Sequence, residues 1–128
     1  MLYPSYDFLL ELHEYLMRDL WSETYYGPLR PELLQSAIAR PIFAACYEDA
    51  DGLRQSAYLF QGLLMNHGFC QGNKRTAYAT LEWFLSVNHL GAMTASDDEV
   101  IQFCLAAEND GWSIDQIEGW LRDNVDAV

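Results

Sequence analysis

The chain has 128 residues and a formal net charge of −12, with 51% of its residues apolar and 14% aromatic. That length fits one compact domain over residues 1–128, and the apolar content excludes a chain that is mostly disordered. The acidic balance excludes nucleic acid as a main partner, since neutralising phosphates needs a basic face; no membrane partner is expected either, because no run approaches the ~18 uninterrupted apolar residues of a membrane span.

The opening stretch, MLYPSYDFLLELHEYL, has no basic n-region and sets Asp7, Glu11 and Glu14 inside its apolar pattern, which reads against a secretory signal. Its periodicity predicts a first helix from Ser5 to Leu20, with Leu9, Leu12, Leu16 and Leu20 on one face. Tyr25-Tyr26-Gly27-Pro28 breaks the pattern. Pro31 suits the first position of a short helix carrying Leu34, Ala37 and Ile38, which Pro41 is expected to end. Ile42 to Tyr47 reads as a short helical turn or an ordered loop. Asp51 is a plausible N-cap for a helix in which Leu53, Ala57, Phe60 and Leu64 repeat up to His67.

A short loop, residues 68–72, leads into a long helix from Asn73 to His89. That helix is apolar on most sides (Ala77, Leu81, Trp83, Phe84, Leu85, Val87), so it belongs in the centre of the fold. Gly91 suits its C′ position. Ser96 with Glu99, and Ser113 with Gln116, are capping boxes opening two final helices. Ala92 to Thr94 is the one place for a brief strand. The class is therefore all-α. The three cysteines, Cys46, Cys70 and Cys104, are odd in number and far apart, and read as reduced thiols of a cytoplasmic protein.

The seven basic residues stand apart except for the pair Lys74-Arg75. That pair opens a helix, where the dipole is positive and the first N–H groups lack partners inside the helix. Cations are unfavourable there unless an anion binds. Gly72 precedes them, at a point where the backbone must turn sharply or let a ligand come close. Free N–H groups, a glycine, a lysine and an arginine together describe a phosphate cradle. His67, with an ordinary pKa near neutrality, is the natural general base. Taken singly these residues have plainer readings: His67 as a partner of a helix C-terminus, Lys74-Arg75 as a solvated pair, Asn73 as an N-cap, Phe69 as a core anchor. A Walker A loop is excluded because Asn follows Gly72 and no strand precedes the loop. His67 and Cys70 lack the further ligands a zinc site needs.

The segment His67-x-Phe69-x-x-Gly72-Asn73-Lys74-Arg75-Thr76-Ala77 resembles the signature of the Fic/Doc family, and Lys74 resembles its Doc (death-on-curing) branch. Residues 27–41, GPLRPELLQSAIARP, and the C-terminal stretch from Ser96 to Arg122 are also similar to that family. The resemblance implies a compact helical bundle with a buried central helix after the motif loop. It implies an enzyme that uses ATP, or a related nucleotide, with Mg²⁺. It assigns His67 as the base acting on a target protein's hydroxyl. Gly72, Asn73, Lys74, Arg75 and Thr76 would hold the nucleotide phosphates, with Lys74 and Arg75 also catalytic and Phe69 as the motif's anchor. For the Doc branch it implies a toxin that transfers the terminal phosphate to a translation factor and is held in check by an antitoxin chain. For the wider family it implies AMP transfer. Tyr78 stands where typical Fic enzymes carry a second arginine, which favours phosphate over AMP. Gln71 stands where the family has the Asp or Glu that holds Mg²⁺. Gln71 could hold the metal through its oxygen, or Asp49, Asp51 or Glu82 could compensate; otherwise the protein is a weakened member that binds nucleotide or a partner. Gly68, where many relatives have Pro, is expected only to loosen the loop.

Overall fold

The computed structural model describes residues 1–18 and 28–127. Among these residues, six helices and one two-stranded ribbon run in the order α1 (Tyr6–Arg18), α2 (Pro31–Glu48), α3 (Gly52–Met65), α4 (Asn73–Val87), β1 (Ala92–Met93), α5 (Asp97–Asn109), α6 (Ile114–Asn124) and β2 (Val125–Asp126). The all-α class is thus as expected. The brief strand exists too: Met93 pairs with Val125 and Ala92 with Asp126, antiparallel. The Leu20 end of the first predicted helix, the break at Tyr25 to Gly27 and the start of the 27–41 segment lie outside the described residues.

The core forms around α3, which packs on α2, α4, α5 and α6. Leu59, Phe60 and Leu64 of α3 are fully buried with Leu81, Phe84 and Leu85 of α4 and Ile117 and Leu121 of α6. The helix after the motif loop is therefore in the core, as expected, with α3 beside it. A stack of rings closes the bundle: Phe103 lies 4.9 Å from Phe60 and 3.8 Å from Trp120, centroid to centroid. The buried side chains of Gln55, Ser56 and Thr80 find hydrogen-bond partners within the protein, as burial demands. Gln55 donates to the Ala50 carbonyl and accepts from the Tyr3 hydroxyl, and Thr80 donates to the Thr76 carbonyl.

Pro41 does not end its helix, contrary to expectation; α2 continues through it to Glu48 and takes in the ambiguous stretch 42–47. The reason is packing. Leu34, Ala37, Pro41 and Ala44 are the buried residues of one helical stripe facing α3, and Ala37 meets Gly62 there so closely that a Cβ on Gly62 would stand 3.0 Å from the Ala37 Cβ. That apolar contact outweighs the backbone hydrogen bond the proline removes.

Asp51 does cap α3, accepting from the Arg54 N–H, and both capping boxes are formed. The C′ role expected of Gly91 is filled by His89. His89 is left-handed, with φ 54°; its N–H donates to the Ser86 carbonyl and the Leu90 N–H to that of Leu85, which is a Schellman closure. Gly91 instead allows close approach to β2, since a Cβ there would collide with the Asp126 carbonyl oxygen.

Candidate phosphate site at the start of helix α4

The motif loop is held from three sides before any ligand is considered. From behind, α1 presents Leu9, His13 and Met17 as its buried face. His13 is 1% exposed, stacks flat on Phe69 at 3.7 Å, and donates from Nε2 to the Gln71 carbonyl at 2.8 Å. From the side, Pro28 bridges to Phe69, and the N–H groups of Leu29 and Arg30 both donate to the Gly68 carbonyl at 2.9 Å. Gly68 therefore does more than loosen the loop: it is buried, and a Cβ on it would meet the Leu34 side chain. From the front, Asn73 clamps the loop. Its Oδ1 accepts from the Phe69 N–H at 3.1 Å and its Nδ2 donates to the Phe69 carbonyl at 3.0 Å. Phe69 is 2% exposed, the core anchor it was expected to be.

Gly72, rather than Asn73, occupies the N-cap of α4. Its φ of 78° is left-handed, and no side chain caps the helix start. A side chain at 72 would run into Met17. The helix thus begins with an uncapped N-terminus and its dipole unopposed. That end opens into a cavity of about 660 Å³ lined by Gln71, Gly72, Asn73, Lys74, Arg75 and, a turn further along α4, Tyr78, with Cys104, Leu105 and Glu108 of α5 opposite.

Two cations therefore stand at the mouth of an uncapped helix, and they are not equivalent. Lys74 Nζ is paired with Glu108 Oε1 of α5 at 2.8 Å. Arg75 is exposed and has no ion pair among the described residues. The wall opposite is largely apolar. Burial there pushes the Cys104 thiol up to about 11, with Lys74 pulling it down and Glu108 adding to the rise. Burial likewise holds the Tyr78 phenol above its usual range, with the Glu82 carboxylate beside it adding to the effect.

The other sequence-singled residues fall as follows. His67 sits just past the C-cap of α3, exposed, with φ 51°. It is outside the set that lines the cavity. Asp49 and His89 adopt the same left-handed conformation past their helices, so the backbone at His67 has an ordinary explanation in helix termination. Thr76 is 1% exposed, and its hydroxyl oxygen has no hydrogen-bond partner; it too lies outside the cavity lining.

The residues present do not fit a preformed Mg²⁺ site. Gln71 offers one neutral oxygen, and its buried Nε2 has no partner. None of the acids considered as compensation lines the cavity: Asp51 caps α3 and pairs with Arg122, Asp49 ends α2, and Glu82 lies beside Tyr78. Among the described residues no group of three or more His, Cys, Asp or Glu side chains is placed to hold a metal ion. Among the described residues the cavity's one carboxylate is Glu108, which motif reading missed because it lies 34 residues away on α5; its only sequence signal is an acid in the last turn of a helix. His13 was missed likewise, although its i, i+4 spacing with Leu9 and Met17 marks the same face.

A bundle in which an αL glycine and two cations open a core helix, behind a loop clamped by Asn73, defines a class of helical domains with a charged, uncapped helix start. Within that class the model of the Fic/DOC family matches residues 3–85, and the chain belongs to that family. Its members are typically enzymes that transfer part of a nucleotide. No curated protein matches the chain significantly. No helix among the described residues is long and apolar enough to cross a membrane.

Proposed function

We propose that the protein is a Doc-like transferase that moves the terminal phosphate of ATP to a Ser or Thr hydroxyl of another protein. The observation that carries the reading is the uncapped start of α4, with Gly72, Lys74 and Arg75 facing one cavity in a chain of net charge −12. A polyphosphate removes the charge mismatch at that helix end. In this reading His67 accepts the proton of the acceptor hydroxyl. The oxygen forms its bond to the γ-phosphorus as the bond from phosphorus to the β,γ-bridging oxygen breaks, and ADP leaves. Lys74 and Arg75 offset the charge on the transferring group and the leaving oxygen. Catalysis is then positioning and charge stabilisation, with no covalent step on the protein. The exposure of His67 suits a macromolecular substrate, whose hydroxyl arrives from solvent. The nucleotide enters as its Mg²⁺ complex, and no step is assigned to the metal because the donor set above does not form a site for it.

The Doc-branch resemblance extends this to a translation factor as target, an antitoxin chain as regulator, and action in the cytoplasm. Transfer of AMP is the competing chemistry. A second reading, a weakened member that binds nucleotide or a partner without fast turnover, is favoured by Gln71 and by the lack of a carboxylate cluster among the described residues.

The test is incubation with a bacterial lysate and ATP labelled separately at the α and γ phosphates, with His67→Ala as control. Label from γ alone, lost in His67→Ala, supports the proposal. Label from α replaces it with AMP transfer. Nucleotide binding without either label supports the second reading, and Gln71→Asp would then restore transfer.

A further inference from the structure

We propose that Glu108 sets the affinity and charge selectivity of this site, acting as an internal counter-anion that a polyphosphate must displace from Lys74; the inference rests on the phosphate reading above. Each member of the pair is misplaced in its own helix. Lys74 stands in the first turn of α4, where the dipole disfavours a cation. Glu108 stands in the last turn of α5, where the dipole disfavours an anion and no basic residue of that turn offsets it. Their 2.8 Å contact relieves both.

Helix α5 has no local reason for an acid at 108, and the fold supplies one only through the cavity. The Glu108 side chain is 18% exposed against 45% for Lys74, so the carboxylate is the more enclosed partner and the lysine the freer to turn away. The remaining ion pairs that bridge elements among the described residues, those of Arg54 and Arg122, join the α2–α3 region to α6 and leave the cavity untouched. The cavity therefore presents one open cation, Arg75, and one occupied cation, Lys74.

A ligand that takes Lys74 leaves Glu108 unpaired, facing an anion beside the apolar surface of Ile101, Cys104 and Leu105. A singly or doubly charged anion binds at the open Arg75 and leaves the Lys74–Glu108 pair intact. A polyphosphate spans both cations and gains enough to displace the carboxylate. Glu108 thus lowers the affinity most for a polyphosphate, which must break the pair and brings the larger negative charge toward the carboxylate.

The test measures binding of metal-free tripolyphosphate and of inorganic phosphate, by calorimetry at fixed ionic strength, to the wild type, Glu108→Gln, Lys74→Gln and the double variant. Glu108→Ala serves if the glutamine variant folds poorly. Glu108→Gln should bind tripolyphosphate about three- to tenfold more tightly, the range for losing one partly exposed ion pair together with a nearby like charge. Its proportional gain for inorganic phosphate should be smaller, and the gain for tripolyphosphate should shrink in the Lys74→Gln background. If the wild type binds tripolyphosphate and Glu108→Gln binds it equally or more weakly, the counter-anion role is overturned and the phosphate site stands. If no variant binds, the phosphate reading fails and this inference with it.

Discussion

Replacing Asn73 separates two roles that its position in the motif confuses, ligand holding and loop closure. Its amide makes both available hydrogen bonds to the main chain of Phe69, at 3.1 and 3.0 Å. Asn73→Ala leaves an N–H and a carbonyl of a residue that is 2% exposed without those partners. Each orphaned group costs roughly 1–3 kcal/mol when water cannot reach it, and both bonds are only part-buried, so the expected loss is about 2–3 kcal/mol. Asn73→Asp keeps an acceptor for the Phe69 N–H and adds a negative charge at a helix N-terminus, worth about 0.3–1 kcal/mol. It also sets an oxygen against the Phe69 carbonyl, so its net loss should be smaller, about 1–2 kcal/mol. Urea unfolding followed by circular dichroism, with the slope checked for constancy, reads both values. An Asn73→Ala variant within about 0.5 kcal/mol of wild type that has nonetheless lost polyphosphate binding would refute the reasoning, because the side chain would then act on the ligand and not on the loop.

Gly72→Ala forces a left-handed alanine at φ 78° and drives its Cβ to 2.7 Å from the Met17 side chain; with a flexible side chain as the obstacle, the expected loss is about 1–2 kcal/mol, together with weakened polyphosphate binding, and a variant as stable as wild type in urea would show that the turn at 72 is not needed. For Cys104 the folded pKa is raised to about 11 from 9.0. Its contribution to stability is therefore full below pH 9 and is lost as pH rises toward 11, because only the unfolded chain ionises in that window. Alkylation of the native protein at pH 8 should mark the exposed Cys46 and Cys70 and spare Cys104, and mass spectrometry showing equal labelling of all three would count against the burial of Cys104.

Much of the local structure was legible in the chain because it is decided within a few residues. Asp51, Ser96 with Glu99, and Ser113 with Gln116 cap the helices they were expected to cap, since a cap needs only a side-chain oxygen three residues from an orphan N–H. Gly72 and the adjacent pair Lys74-Arg75 marked a charged helix start for the same local reason. The motif's resemblance supplied the family and the buried helix behind the loop.

What the sequence misjudged or left open was decided between elements. Pro41 carries a local stop signal, yet α2 runs through it because the Leu34–Ala44 stripe finds α3. Gly91 looks like a helix terminator, yet His89 terminates α4 and Gly91 makes room for β2. His13 is an unremarked histidine on an amphipathic helix until the fold lays it flat against Phe69. Glu108 is an ordinary acid until α5 brings it to Lys74. Caps, turns and helix starts depend on chain neighbours a few bonds apart, so residue order alone determines them. The partner of a charge, the backing of a loop and the survival of a proline inside a helix depend on which surfaces are buried together, and only the tertiary packing decides that.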